Sequence, residues 1–291
     1  MLPDKQPAPP LLVVAALLAI GISGVFEEAG AAPAPAVAII GLIVDDMGNH
    51  RDGGQRVARL PGPVACSVLP HTPYATELAR LCHQMGKVVM LHLPMQPEAR
   101  EIIGGPGLLH EGMAYEQVIR ALHSGLDSVP YARGVNNHMG SHLTRHLAYM
   151  QWVMEDIVTQ GGLFFVDSYT SVSSVALKVA RVNGIPSIGR DVFLDNDPDP
   201  RKIREQFRRL VSIARKDGYA LGIGHPYKAT LELLESALPQ LAAEGIMLVS
   251  VEDLIGRAIV AGKGEEQRWQ AHLHPSPTVL RKSKAGSGIV P

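Results

Sequence analysis

Apolar and polar positions follow two alternating patterns along this chain. Short strand-like runs, most of them nearly continuously apolar, lie near residues 37–45, 63–69, 87–93, 133–137, 162–167, 185–188, 219–224 and 246–250. Between nearly all of them lie amphipathic helical patterns such as ATELARLCHQMG and PDPRKIREQFRRLVSIARKDG. Apolar runs of this length are typical of strands buried on both faces, and strand–helix alternation indicates a mostly parallel sheet. Seven or eight such units favour an α/β fold closed into a barrel.

The two ends of the chain lack this alternation. Residues 11–26 form an uncharged apolar run, followed by two glutamates and an Ala/Pro stretch. Its length suits the core of a signal peptide better than a membrane span, although retention as an anchor stays open. Residues 262–291 are polar with scattered Pro, Gly and Lys, which predicts a disordered tail. We therefore expect a signal peptide or anchor with a linker at 1–36, one barrel domain at 37–261, and a tail at 262–291.

Composition narrows the choice of partners. The formal net charge is -1, from 27 basic and 28 acidic residues, so nucleic acid is not expected as a partner. A membrane contact is expected only through the N-terminal segment, if that segment is uncleaved. The two cysteines, Cys66 and Cys82, lie in apolar surroundings without a CxxC spacing. This pattern predicts two buried, inert thiols.

Polar residues recur where the apolar runs end. Asp45 and Asp46 close the first run, and His92, His138 and His225 close later ones. The carboxyl ends of strands are where open α/β sheets bind their ligands. Adjacent, partly buried carboxylates need a metal, a shared proton or a nearby cation, so we interpret the five residues as one metal-centred site. The alternative for Asp46 is an N-cap of the following helix.

Six segments occur in a characteristic order: VDDMG, PVACSVLPHTPYATELARLCHQMGKVVMLHLPMQP, GVNNHMGSHLT, GLFFVDSYTS, RDVFLDND and IGHPYKATL. Together they resemble the divergent polysaccharide deacetylase family, a branch of the polysaccharide deacetylase superfamily, over residues 37–257. The resemblance implies a distorted (β/α) barrel of seven to eight mostly parallel strands. It also implies a divalent metal and hydrolytic removal of acetyl groups from an N- or O-acetylated sugar.

The resemblance implies roles for individual residues. Asp45 matches the general base, Asp46 the metal-binding carboxylate, and His225 the general acid. An imidazole suits the last role because its ordinary pKa of about 6.5 lets it donate a proton near neutral pH. Neighbours on a strand point to opposite faces, so we expect the turn at Gly48 to bring both carboxylates into the same space.

The third metal ligand departs from the superfamily pattern. His92 matches the first histidine of a His-x-x-x-His motif, but the fourth residue on is Gln96. We expect His138, at the next strand end, to replace the missing ligand beside Asp46 and His92. Two histidines and one carboxylate with open positions indicate a catalytic zinc site. A literal His-x-x-x-His also exists at His138 and His142, but His142 lies in the segment that leaves the strand.

Several polar residues near the predicted site keep two interpretations. Asp167 and Arg190 follow later strands and either orient the acid and the base or act locally. In the local interpretation Asp167 caps the following helix and Arg190 pairs with Asp191 at the surface. Asn136 and Asn137 either donate to the acetyl oxygen or satisfy the backbone of a tight turn.

The expected function is metal-assisted deacetylation of an envelope polysaccharide or glycan, with Zn²⁺ as cofactor and an acetylated glycan as partner. We expect an exported protein, periplasmic or anchored to the inner membrane facing the periplasm. The irregular segment 94–112, directly after His92, is expected to lie over the active site. Two alternatives remain. A non-catalytic glycan-binding protein would need neither Asp45 nor His225, and a metal-dependent amidase or phosphohydrolase would use a similar barrel.

Overall fold

A computed structural model of the protein describes residues 37–99 and 104–261. The predicted leader and linker at 1–36 and the predicted tail at 262–291 lie outside the described residues. Across the described ranges, none of the helices combines the length and the apolar character that a membrane crossing requires.

Strands and helices alternate as the sequence pattern predicts. The strands are β1 Ala38–Met47, β2 Ala65–Val68, β3 Val89–Met95, β4 Ala132–Met139, β5 Phe164–Asp167, β6 Ser187–Gly189, β7 Val192–Phe193, β8 Tyr219–Gly224 and β9 Ile246–Leu248. The α-helices are α1 Arg51–Arg59, α2 Ala75–Gln84, α3 Tyr115–Ser128, α4 Leu147–Gln160, α5 Ala176–Val182, α6 Pro200–Asp217, α7 Lys228–Ala237 and α8 Val251–Ala261. Short 3₁₀ helices cover Leu143–Arg145 and Leu238–Glu244.

The strands form one curled, parallel sheet. Its order is β6-β5-β4-β3-β2-β1-β8-β7, and β9 pairs with the beginning of β1. The terminal strands of this path, β6 and β7, follow each other in the chain, but no strand pairing joins them within the described residues. The predicted distorted (β/α) barrel is therefore confirmed, with eight strands along its path, and the closure between β6 and β7 is incomplete.

Apolar side chains fill both faces of the sheet, as the continuous apolar runs predict. On β1, Ile40, Leu42 and Val44 belong to the cluster packed under the outer helices, whereas Ile39 and Ile43 belong to an inner cluster completed by α8. This division follows the two-residue period of a strand. The polar residues predicted to form the site follow these apolar stretches, at the carboxyl ends of the strands.

The two cysteines form a disulfide between β2 and α2. Cys66 and Cys82 are fully buried, their Cα atoms are 6.5 Å apart, and their sulfurs are bonded. The prediction of two buried free thiols was therefore wrong about their oxidation state. The pairing arises because α2 packs back on β2, so residues 16 positions apart in the sequence become neighbours. Spacing motifs such as CxxC do not detect a bond of this kind.

Candidate active site

The end of β1 directs two adjacent carboxylates to the same side. Asp46 has φ +56°, in the left-handed region that non-glycine residues rarely adopt, and the register of β1 against β2 shifts here. Neighbouring side chains on a regular strand point to opposite faces of the sheet, and this change in the backbone lets Asp45 and Asp46 depart from that rule. The expectation that the turn at Gly48 brings them together is thus corrected, because the change occurs at Asp46 itself. Asp46 does not cap α1, whose N-cap is His50.

Asp46, His92 and His138 meet at the ends of β1, β3 and β4. Oδ1 of Asp46 lies 2.9 Å from Nδ1 of His138 and 3.1 Å from Nε2 of His92. The two ring nitrogens are 3.2 Å apart. The structure therefore brings together the three residues that the sequence predicts as metal ligands, with one ligand atom from each side chain in a small triangle.

The chemistry of this triangle fits a divalent cation. Oδ1 of Asp46 is buried and is left without a geometrically satisfied hydrogen bond, although a ring nitrogen of each histidine lies within 3.1 Å of it. A buried carboxylate oxygen left in this way is costly unless a cation compensates it. Ligand atoms bonded tetrahedrally to one ion at about 2.0–2.1 Å would lie about 3.3 Å apart, close to the observed separations.

The pKa values of Asp46 and His92 are shifted by burial and by the contacts between the carboxylates and the imidazole rings. Burial alone would raise the pKa of Asp46, but His138 and His92 hold it well below its ordinary range. Burial would likewise lower the pKa of His92, but the carboxylates of Asp45 and Asp46 raise it above its ordinary value. The pocket therefore favours a positive charge next to Asp46, which is the role that a metal ion would take.

Asn136 on β4 links the predicted base to a predicted ligand. Its Nδ2 donates to the two carboxylate oxygens of Asp45 at 2.9 and 3.2 Å. Because a carboxylate only accepts, this contact fixes the amide, and Oδ1 faces Ser67 Oγ at 2.7 Å and Nδ1 of His92 at 3.0 Å. His92 therefore carries a proton on Nδ1, which leaves Nε2, the nitrogen beside Asp46, as the one that would bind a metal ion.

His225 follows β8 and is held by Asp195. Nδ1 of His225 lies 2.9 Å from Oδ1 of Asp195, and its backbone N–H donates to Oδ2 at 2.7 Å. Thr230 donates to the same Oδ2 at 2.7 Å. Nε2 of His225 remains directed to the site, 3.7 Å from Oδ2 of Asp46. Although burial opposes it, the Asp195 carboxylate raises the pKa of His225, which favours the proton-donating form.

Asp195 is the site residue that sequence reasoning missed. It lies in the segment RDVFLDND, just after β7, but that strand has only two residues and its apolar signal is weak. The sequence offers Asp167 and Arg190 instead, either as groups that orient the acid and the base or as residues with local contacts only. A short apolar run followed by an aspartate was the only signal available for Asp195.

Asp167 acts on the chain that follows it. Its buried carboxylate accepts hydrogen bonds from the backbone of Tyr169, the hydroxyl of Ser174 and the backbone of Leu177. Burial is the main cause that raises the pKa of Asp167. These contacts match the capping interpretation, because they fix the turn between β5 and α5 and the beginning of that helix.

Arg190 and Asn137 also bind backbone atoms. Arg190 donates from Nε to the carbonyl oxygen of Ser168 at 2.7 Å and from a terminal nitrogen to that of Tyr169 at 3.0 Å. Asn137 accepts from the backbone of Ser168 at 2.9 Å and donates to the carbonyl oxygen of Met139 at 2.8 Å. Both side chains therefore shape the loops around the site, which is the turn-satisfying interpretation of Asn137.

Gln96 and His142 belong to a different group of residues. The side-chain oxygen of Gln96 accepts from the backbone N–H of Glu111 at 2.7 Å. His142 contacts Glu111 at 3.0 Å and groups with His146, not with Asp46. The literal His-x-x-x-His of the sequence thus does not act as a unit in the Asp46 group.

Comparisons with known proteins agree with this architecture. Residues 42–255 match the family model of the divergent polysaccharide deacetylases. The uncharacterized protein YibQ of Escherichia coli is 35% identical over 216 residues, which cover 74% of this chain and 67% of that protein. An uncharacterized protein of Haemophilus influenzae is 34% identical over 215 residues, 74% and 76% of the two chains. The crystal structure of the uncharacterized protein ATU2773 from Agrobacterium tumefaciens shares the fold, with TM-score 0.72, 24% identity, and coverage of 77% and 91%.

Proposed function

Because this chain belongs to the divergent polysaccharide deacetylase family, we propose that it is a metal-dependent hydrolase that removes acetyl groups from an N- or O-acetylated envelope polysaccharide or glycan. One observation carries the proposal. Asp45 and His225 flank the group formed by Asp46, His92 and His138, each with a side-chain atom 3.7 Å from a member of that group. The residues that we propose as base, metal ligands and acid thus share one end of the sheet.

Asp46, His92 and His138 are the residues that would hold the divalent ion, and zinc suits a set of two imidazoles and one carboxylate. When bound, such an ion supplies Lewis-acid polarisation of an acetyl carbonyl and a lowered pKa for water.

Asp45 is placed to take a proton from an attacking water. Its carboxylate is buried, and Asn136 holds it at the edge of the ligand group. Oδ2 of Asp45 lies 3.7 Å from Nε2 of His92, so a carboxylate outside the ligand triangle lies beside the ligands. General-base catalysis of this kind contributes about 10²–10⁴ in rate.

His225 is placed to protonate the leaving nitrogen or oxygen. Its Nδ1 is engaged by Asp195, so the proton available for transfer sits on Nε2, which faces the site. The same pairing is what raises its pKa, so the group is protonated over a wider pH range than a free histidine.

A glycan-binding protein on the same barrel is the main competing proposal. Such a protein would use the metal group to fix its fold or its ligand, but it would gain nothing from a buried base or from a histidine paired with an aspartate. A metal-dependent amidase would use the same groups on a different acyl substrate, so the choice depends on the substrate offered.

We also propose that the protein works outside the cytoplasm. The uncharged run at residues 11–26 supports export. The Cys66–Cys82 disulfide adds support from another part of the chain, because disulfides form and persist in oxidising compartments. An envelope location is also where acetylated structural glycans would meet the enzyme.

The test combines metal content with acetate release from acetylated glycans and muropeptides. We expect wild-type protein to bind metal and release acetate, and Asp45→Asn to bind metal with kcat lowered about a hundredfold or more. The matched variant Asp46→Asn, with the neighbouring carboxylate neutralised, should lose the metal. Near-full activity of Asp45→Asn would refute its role as base, and loss of metal from it would mean that the two carboxylates have exchanged roles. Metal-loaded protein that binds glycans without releasing acetate would refute the hydrolase proposal.

A further inference from the structure

A second group of metal-binding side chains lies outside the candidate active site. Glu111, His142 and His146 each offer one ligand atom, and these atoms all lie within 4.8 Å of one another. Oε2 of Glu111 is 3.0 Å from Nε2 of His142, and the rings of His142 and His146 have centroids 4.5 Å apart. We propose that these three residues bind a second divalent metal ion of the zinc class.

The donor set suits such an ion. One carboxylate and two imidazoles make a common zinc ligand set, with a fourth position open to water. A simple ion pair would explain Glu111 with His142, but it gives no role to a second imidazole beside the first. One shared cation would use a lone pair from each neutral ring and the charge of the carboxylate. Three converging ligands are therefore better explained by a cation than by an ion pair.

The backbone holds the ligands in place independently of any ion. His142 and His146 flank the 3₁₀ helix Leu143–Arg145, so both rings leave the same short turn. The backbone N–H of His142 donates to the carbonyl oxygen of Gln96 at 3.2 Å. The side chain of Gln96 accepts from the backbone of Glu111 at 2.7 Å. Gln96 thus fixes the positions of the two segments that carry Glu111 and His142.

A second hydrogen bond joins the segment that carries Glu111 to the segment that carries the two histidines. The hydroxyl oxygen of Tyr149, in the first turn of α4, accepts from the backbone N–H of Gly112 at 2.7 Å. The ring of Tyr149 also lies edge-on to that of His146, at a centroid distance of 6.2 Å. A bound ion would therefore join residues that already lie on a hydrogen-bonded frame, which lowers the ordering cost of binding.

The second group is separate from the Asp46 group although its histidine lies close in sequence. Gly140, with φ +89°, reverses the chain between His138 and His142. An added Cβ at Gly140 would lie 3.0 Å from Met95 Cβ and from Thr144 Cγ2, so only glycine fits this turn. The turn sends His138 to one group and His142 to the other.

The two sites should differ in affinity. His92 is 2% exposed, whereas His142 and Glu111 are 24% and 49% exposed, so water competes more strongly for the second site. We expect the second ion to bind more weakly and to exchange more readily. Because it contacts neither Asp45 nor His225, its binding does not depend on whether the protein is a deacetylase.

The test counts zinc ions on the full chain after chelation and equilibrium dialysis against defined free Zn²⁺. We expect two equivalents of zinc per chain on the wild type, one bound tightly at the Asp46 group and one bound more weakly at the second site. His146→Ala, His142→Ala and the shape-preserving Glu111→Gln should each keep the tight equivalent and weaken the other by more than a hundredfold, since the loss of a direct ligand exceeds the ten- to hundredfold typical of an outer partner. His92→Ala and His138→Ala should show the opposite pattern.

His123→Ala is the matched control, because His123 pairs with a carboxylate, Asp156, in a different place and should leave both equivalents intact. One equivalent on the wild type, lost in His92→Ala and kept in His146→Ala, would overturn the second site while leaving the proposed function standing. Two equivalents that both persist in Glu111→Gln and His146→Ala would overturn it as well. If none of the variants loses the tightly bound zinc ion, that result would contradict the proposed metal-dependent function instead.

Discussion

Replacing Asp195 with asparagine tests how His225 works. Asp195 is almost completely buried, and its carboxylate accepts three hydrogen bonds, two from His225 and one from Thr230. It holds the ring with Nδ1 protonated, so Nε2 faces the site. If His225 is the general acid, the negative charge of Asp195 should control both the orientation and the pKa of the acid.

The choice of asparagine follows from the cost of the alternatives. Asp195→Ala would leave three buried donors without an acceptor, at about 1–3 kcal/mol each, and the resulting loss of stability would obscure any effect on catalysis. Asp195→Asn keeps the shape. Its remaining oxygen can accept from the backbone of His225 and from Thr230, which turns the amide NH₂ against Nδ1 of His225.

The expected result follows from that contact. An NH₂ group cannot stabilise a protonated Nδ1, so the pKa of His225 should fall from its raised value. An acid works only while protonated, so activity is present below its pKa and lost as pH rises through it. The basic limb of the pH–kcat profile should therefore move to lower pH, and kcat near neutral pH should fall about a hundredfold, within the range of general-acid catalysis.

The assay is acetate release as a function of pH, with metal content measured on the same samples. Thr230→Val is the matched control, because it removes a hydrogen bond from Oδ2 of Asp195 but keeps the charge opposite His225. We expect Thr230→Val to keep its basic limb near the wild-type position. A wild-type profile for Asp195→Asn would refute the role of His225 as an acid controlled by Asp195, and a shift to higher pH would contradict the sign of the argument.

Two further predictions concern stability and location. The Cys66–Cys82 bond closes a loop with a sequence separation of 16, so reduction should lower the free energy of unfolding by about 3 kcal/mol in denaturant titrations, whereas the double variant Cys66→Ala with Cys82→Ala should not respond to reductant. Two reactive thiols in denatured protein without reductant would contradict the bond. A reporter that is active only after export, fused at about residue 36, should be active; activity only of a cytoplasm-dependent reporter would contradict export.

From the sequence, we could locate those residues of the candidate site that lie at the carboxyl ends of strands. Buried parallel strands read as continuous apolar runs, and their carboxyl ends meet at one edge, so Asp46, His92 and His138 could be placed together without coordinates. Asp45 and His225 follow from the same rule. Asp45, Asp46, His92 and His225 follow long apolar runs or lie near their ends, whereas His138 ends the shorter strand-like segment GVNNH, in which Asn136 and Asn137 weaken the apolar signal.

Other features depend on contacts that no local pattern records. The left-handed φ of Asp46 is a single backbone angle, and nothing in VDDMG requires it. Asp195 follows a two-residue strand, too short to be recognised, and its partner His225 lies 30 positions further on. The pairing of Cys66 with Cys82 depends on how α2 packs on β2. These are tertiary facts, and local propensity does not contain them.

Gln96 shows why a departure from a family motif needs the structure for its interpretation. From sequence alone, glutamine in place of a second histidine is only a missing ligand. In the fold, the backbone N–H and carbonyl oxygen of Gln96 bind Leu109 and His142, while its side chain binds Glu111. A histidine at this position could not accept from Glu111 and ligate a metal with the same nitrogen. Gln96, which stands where the superfamily motif has its second histidine, therefore frames the proposed second site, while His138 lies beside Asp46 and His92 from the neighbouring strand.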